Sequence, residues 1–160
     1  MNEGKKLIIG WFSFTCSEDS TILLTELLND HLEEWKEKVE FRYFKALKTK
    51  NQLNNLDVAF IEGAISSDSQ ALEIKKIRDN TKYVVAIGSC ACTGRPSSSR
   101  MDLLDNEKIK KYFERFDYSP AVKKLSDVIK VDDMVPGCPM NVPLFLQTLE
   151  KYLKLCTTQI

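Results

Sequence analysis

The sequence predicts an α/β protein, a doubly wound parallel sheet with helices on both faces. Two observations carry that prediction. Short apolar runs of strand length alternate with longer stretches of helical periodicity along all 160 residues. Four of the five cysteines also fall just past strand-like runs, where an open parallel sheet builds its binding crevice. The length is about that of one domain, and the whole span 1–160 is read as a single unit.

Lys5 to Phe14 is rich in strand formers, with Leu7, Ile8, Ile9, Trp11 and Phe12. Ser17-Glu-Asp-Ser20 supplies hydroxyl and acidic groups suited to a helix start. From Thr21 to Glu37, Ile22, Leu23, Leu27, Leu28, Leu32 and Trp35 recur at helical spacing. Val39 to Leu47 alternates as a second strand, and Leu56 to Gly63 reads as a third, ending in glycine. A helix over Asp68–Asp79 and a fourth strand over Lys82–Gly88 follow. Thr93 to Arg100 has the turn chemistry of a loop. Helices are expected over Glu107–Phe116 and Pro120–Leu125, a fifth strand over Val128–Val135, and a closing amphipathic helix over Pro143–Leu155. The thiol-bearing loops then follow the first, fourth and fifth strands. They meet at a switch point if the strand order is flavodoxin-like, 2-1-3-4-5.

Composition narrows the function. Apolar residues make up 43% of the chain, and 23 basic residues balance 23 acidic ones. No basic excess points to nucleic acid, and no apolar run is long enough for direct membrane insertion. The first residues lack the pattern of a secretory or twin-arginine signal, and the Leu7–Trp11 run reads as strand. A cytoplasmic, reducing location is therefore expected, where free thiols serve as metal ligands or catalytic groups more often than as disulfides.

The thiols in question are Cys16, Cys90, Cys92 and Cys138. An iron–sulfur cluster needs thiolates on loops around a partly dry pocket, and glycines let backbone amides approach it. Gly88, Gly94 and Gly137 are placed for that purpose. Cys16 precedes a helix start, which favours a thiolate. Spacing alone leaves a metal site and scattered core cysteines both open. Cys156 is assigned no role, and His31 has no second histidine for a mononuclear site.

Gly88-Ser-Cys-Ala91 followed by Gly94, Val135-Pro-Gly-Cys-Pro139, and Cys16-Ser-Glu-Asp19 together resemble the small subunit of nickel–iron hydrogenases. The cluster-bearing small subunit of respiratory complex I shares the pattern, including the Glu62-Gly63 element. Gly10-Trp-Phe-Ser-Phe14 is similar to the opening of cytoplasmic sulfhydrogenase small subunits. The resemblance implies a flavodoxin-like domain holding a proximal [4Fe–4S] cluster beside a large subunit that carries the nickel–iron site. It implies electron transfer to a further iron–sulfur or flavin subunit, with no catalytic residue in this chain.

By the same resemblance Cys16, Cys90 and Cys138 carry over as ligands. The family's remaining cysteine, three residues away in hydrogenases or adjacent in complex I subunits, is missing: Ser13 stands three before Cys16 and Ser17 immediately follows it. Cys92 is the first choice for the fourth ligand, with oxygen from Ser17, Ser13, Glu18 or Asp19, or a [3Fe–4S] cluster, as the alternatives. Glu18 and Glu62 are expected to relay protons or order the cluster loops, against capping for Glu18 and supporting hydrogen bonds for Glu62. The chain reaches Ile160 without the cysteine-rich region that carries further clusters in larger members, so another subunit is expected to receive the electrons. Two other functions stay open: a complex I-like oxidoreductase module without hydrogen chemistry, and a cluster-free flavodoxin-like binding or scaffold protein.

Overall fold

Five strands, β1 (Leu7–Ser13), β2 (Val39–Phe44), β3 (Leu56–Glu62), β4 (Thr81–Ile87) and β5 (Asp133–Val135), form one sheet in the order β2-β1-β3-β4-β5. All pairings are parallel, as the alternating pattern requires. The structure is a computed structural model, and it describes residues 5–103, 105–119 and 121–157. Helix α1 (Asp19–Lys38) connects β1 to β2, and α2 (Asp68–Asp79) connects β3 to β4. Between β4 and β5 come α3 (Gly88–Thr93), a 3-10 turn at Ser97–Leu103, α4 (Glu107–Arg115) and a second 3-10 turn at Leu125–Asp127. Helix α5 (Val142–Thr157) closes the described chain. The strand order reverses between β1 and β3, and that is the switch point of the flavodoxin-like arrangement.

Strand alternation decides which helix packs where. Val58 and Phe60 of β3 face one layer with Leu7, Ile9 and Trp11, against Leu24 and Trp35 of α1 and Phe145, Leu149 and Tyr152 of α5. Ala59 and Ile61 face the other layer with Phe12, Val84 and Ala86, against Ile74 and Ile77 of α2 and Ala91 of α3. Each such large apolar side chain contributes roughly 1.5–3 kcal/mol when fully buried. β3, covered on both faces, is buried along its whole length. Its last residue, Glu62, is the exception to an otherwise apolar end. Among the described residues no helix is long and apolar enough to cross a membrane.

The β4–β5 connection departs from the sequence reading in three places. Residues 121–124 do not form a helix, and Leu125 only opens the second 3-10 turn; Lys123 instead pairs with Ile65 in an isolated antiparallel bridge. The fifth strand is limited to Asp133–Val135, because Val128 and Ile129 both close a turn onto the Leu125 carbonyl. The apolar run Val128–Val131 packs on the second layer without joining the sheet. Thr93–Arg100, expected as open loop, holds the end of α3 and the start of the Ser97–Leu103 turn.

Candidate metal centre

Sheet register sets the site. Ser13 pairs with Glu62, Glu62 with Ile87, and Ile87 with Val135, so the ends of four strands form one row. All four leave the sheet at the same edge. Cys16, Cys90 and Cys138 each lie three residues beyond their own strand's member of that row. Thiols 74 and 48 residues apart in sequence thereby reach one crevice, which all three line together with Asp19.

Each approach is held by its own contacts. The Phe14 N–H donates to the Glu62 carbonyl (2.8 Å), and Thr15 and Ala64 exchange backbone bonds of 3.1 and 2.9 Å. Gly63 makes this possible: at φ +98° it adopts a backbone that side chains disfavour, and a Cβ there would lie 2.8 Å from the Phe14 carbonyl carbon. The turn continues through Cys16, whose Sγ accepts from the Glu18 N–H at 3.4 Å and lies 3.5 Å from the Ser13 hydroxyl. Cys90 is buried in α3, its Sγ 3.2 Å from the Ser97 hydroxyl, which donates to the Thr15 carbonyl. Cys138 is exposed and follows Gly137, where φ is +123° and a Cβ would come within 2.4 Å of the Pro139 carbonyl.

Further bonds tie these loops together. The Ser89 N–H donates to the Gly137 carbonyl (2.7 Å), and the Met140 N–H to the Ser20 hydroxyl (3.2 Å). Glu62 fastens them to the sheet. Its buried carboxylate accepts from the Ser20 N–H (3.0 Å), the Thr21 N–H (3.2 Å) and the Thr21 hydroxyl (2.7 Å). A carboxylate on the first amides of α1 also meets the positive end of the helix dipole. Glu62 is thus wholly engaged in supporting the segment that carries Cys16 and Asp19.

The surroundings of Cys16 and Cys138 favour the protonated thiol. Burial, with a smaller contribution from the Glu62 charge, pushes Cys16 up to about 11. The Asp19 carboxylate, accepting from Cys138 Sγ at 3.2 Å, raises Cys138, with burial a lesser cause. Metal binding here would release protons. Among the described residues no three histidine, cysteine or acidic side chains converge on a point that would suit a single ion. A multi-iron cluster takes each ligand on a different iron, so three soft sulfur donors spread around one crevice fit a cluster better than a mononuclear site.

Other residues singled out from the sequence lie elsewhere. Cys92 belongs to α3, and on a helix residues two apart do not share a face. Its thiol is buried in the α2-side core, where Sγ donates to the Ala86 carbonyl at 3.6 Å and burial raises it to about 11. The segment is regular helix, and Cys92, the first choice for the fourth ligand from the sequence, does not line the crevice. Gly94, at φ +81°, ends that helix, its N–H on the Cys90 carbonyl and its open side toward Lys124, away from the crevice. Glu18 turns the chain with a left-handed backbone (φ 60°), while its side chain lines a separate cavity of about 300 Å³ beside Trp11, Tyr43 and Lys45. Cys156 packs in the α5-side core. The sequence reading placed Ser20 only at a helix start and passed over Ser97; the charged residue ending an apolar strand, Glu62, was the signal for the Ser20 contact.

The family described as NADH ubiquinone oxidoreductase, 20 Kd subunit, matches residues 16–152. The chain is 30% identical over 128 residues to coenzyme F420 hydrogenase subunit gamma of Methanosarcina barkeri, and 28% identical over 127 residues to sulfhydrogenase 2 subunit delta of Pyrococcus furiosus. These matches take in 79% and 76% of this chain but 43% and 52% of those proteins, so the chain spans about half the length of the curated relatives it matches. A solved chain of an NAD+-reducing [NiFe]-hydrogenase shares the fold, with a TM-score of 0.77 at 19% identity over 93% of this chain and 92% of that one. The family match begins at Cys16 and runs through all three crevice thiols. By that match the chain belongs to the family of the 20 Kd subunit of NADH ubiquinone oxidoreductase and the small subunits of nickel–iron hydrogenases.

Proposed function

We propose that this chain is the electron-transfer small subunit of a cytoplasmic nickel–iron hydrogenase, working beside a large subunit that holds the nickel–iron site. The observation that carries the reading is the single row of strand ends with a cysteine three residues beyond three of its members. Cys16, Cys90 and Cys138 are the residues that would hold a proximal iron–sulfur cluster. When bound, such a cluster takes up and releases one electron at a time. The chain's own part is positional. Glu62 and Ser20 fix the three loops relative to one another, while Ala64 and Val122 close the inner wall behind Cys90 and Cys16.

The exposed Cys138 marks the side where a partner would shield the centre from solvent. Electrons would leave through a further iron–sulfur or flavin subunit. The relatives named as hydrogenase subunits support this assembly over a complex I-like module, and the large subunit separates the two: paired Cys-x-x-Cys motifs there mean nickel–iron chemistry.

The direct test is anaerobic purification from native cells with iron and acid-labile sulfide counted. Cys90→Ser and Cys138→Ser are each expected to lose most of the iron and the visible absorption, since an alkoxide is a poor substitute for thiolate at so soft a site. Unchanged iron in both variants sinks the cluster and leaves the scaffold reading.

A further inference from the structure

We propose that the Asp19 carboxylate is the fourth ligand of a four-iron cluster otherwise held by Cys16, Cys90 and Cys138. This inference rests on the cluster reading above and deepens it.

Three thiols leave one iron short of a protein ligand, and the crevice itself limits what can supply it. Asp19 lines that crevice, and its Oδ2 sits 3.2 Å from Cys138 Sγ, across 119 residues of sequence. Its other oxygen, Oδ1, accepts from the Ser20 N–H at 3.2 Å. One oxygen therefore anchors the side chain to the start of α1 while the other faces the thiols.

The competing donors are otherwise occupied. Cys92 is turned into the α2-side core. Both Glu62 oxygens are spent on α1. Glu18 lines the other cavity. The Ser13 hydroxyl, 3.5 Å from Cys16 Sγ, is neutral and would have to lose a proton before it could serve. The Ser97 hydroxyl is committed to the Thr15 carbonyl. Ser17, Ser20 and Ser89 also line the crevice, and a neutral hydroxyl would have to lose a proton to match what the Asp19 carboxylate offers. A carboxylate is also a harder donor than thiolate, so the iron it holds is expected to be the most weakly bound of the set.

The test uses the whole chain, purified anaerobically, with iron counted per chain and the cluster examined by electron paramagnetic resonance. Asp19→Ala is expected to lose about a quarter of the iron and to show a three-iron signal in the unreduced protein, where wild type shows none. Asp19→Cys is expected to restore the full count with a reduced-state signal shifted from wild type, which also shows that the position tolerates change. Ser17→Ala and Cys92→Ala are expected to match wild type in both readouts. A full count and an unaltered signal in Asp19→Ala would overturn the proposal, as would the same loss appearing in Ser17→Ala or Cys92→Ala. Wild type without iron or sulfide overturns the cluster reading itself, an outcome distinct from any of these.

Discussion

Glu62 shows how a single residue couples the sheet to the site. A carboxylate at 2% exposure is costly to bury unless its oxygens are filled, and here three donors from the first turn of α1 fill them. One of those donors, the Thr21 hydroxyl, accepts in turn from the Trp11 indole N–H at 2.8 Å, so the network runs back into the core of β1. Replacing the carboxylate with an amide keeps the size but puts a donor where only acceptors are wanted. Glu62→Gln is accordingly expected to cost about 1.5–3 kcal/mol of stability, the range for losing bonds to a charged group. Denaturant titration of both proteins checks it, and an unchanged midpoint would show that the Glu62 bonds do not hold α1. The sequence displayed Glu62 as an acidic end to an apolar strand, but not its partners. Ser20 and Thr21 lie 42 and 41 residues away, and only folding brings them within reach.

At the scale of elements, legibility followed local signals. The second helix, Asp68–Asp79, is where the sequence reading put it, because Ser67 caps the Gln70 N–H and the apolar spacing is regular. Strands β1, β3 and β4 are recognisable as compact apolar runs for the same reason: they are buried on both faces. The β4–β5 connection was unreadable in detail, because the Val128–Val131 run looks like a strand but is used as core lining. Cys92 was misleading in a related way, since proximity to Cys90 in sequence says nothing about facing once the segment is helical. β5, with three residues, depends on α5 for its position: Asp133 accepts from Lys151 at 2.6 Å and from the Tyr152 hydroxyl. Partial burial pushes Asp133 up, yet those bonds outweigh it and its carboxyl lies below the ordinary range. A depressed carboxyl contributes stability that is present above the unfolded value, about pH 4, and is lost as pH falls through the folded value. The stability gap between wild type and Asp133→Asn should therefore be constant near neutrality and shrink below about pH 4. A gap that stays constant down to pH 2, or so, would mean the carboxylate is not what secures α5 to β5.

Across the whole molecule, the crevice is where distant parts of the chain are joined. Cys16 follows the first strand, Cys90 the fourth and Cys138 the fifth, so a cluster bound to all three would cross-link most of the sheet through one point. The protein bonds between these loops include those from Ser89 to Gly137, from Met140 to Ser20, from Ser97 to Thr15 and from Cys138 to Asp19. A cluster would add its own bonds to these at the Cys138 turn. A ligand that binds only the folded state raises its stability by mass action, about 2.7 kcal/mol at a hundredfold excess over the dissociation constant. For a domain of this size that corresponds to a rise of about 5–10 °C in the thermal midpoint. Anaerobic removal of iron with a chelator should lower the wild-type midpoint by that amount and leave Cys138→Ser, already short of a ligand, nearly unmoved. Calorimetry of the four samples decides it. If wild type and Cys138→Ser respond alike, the loops are held by protein contacts alone and the crevice does not serve as the molecule's cross-link.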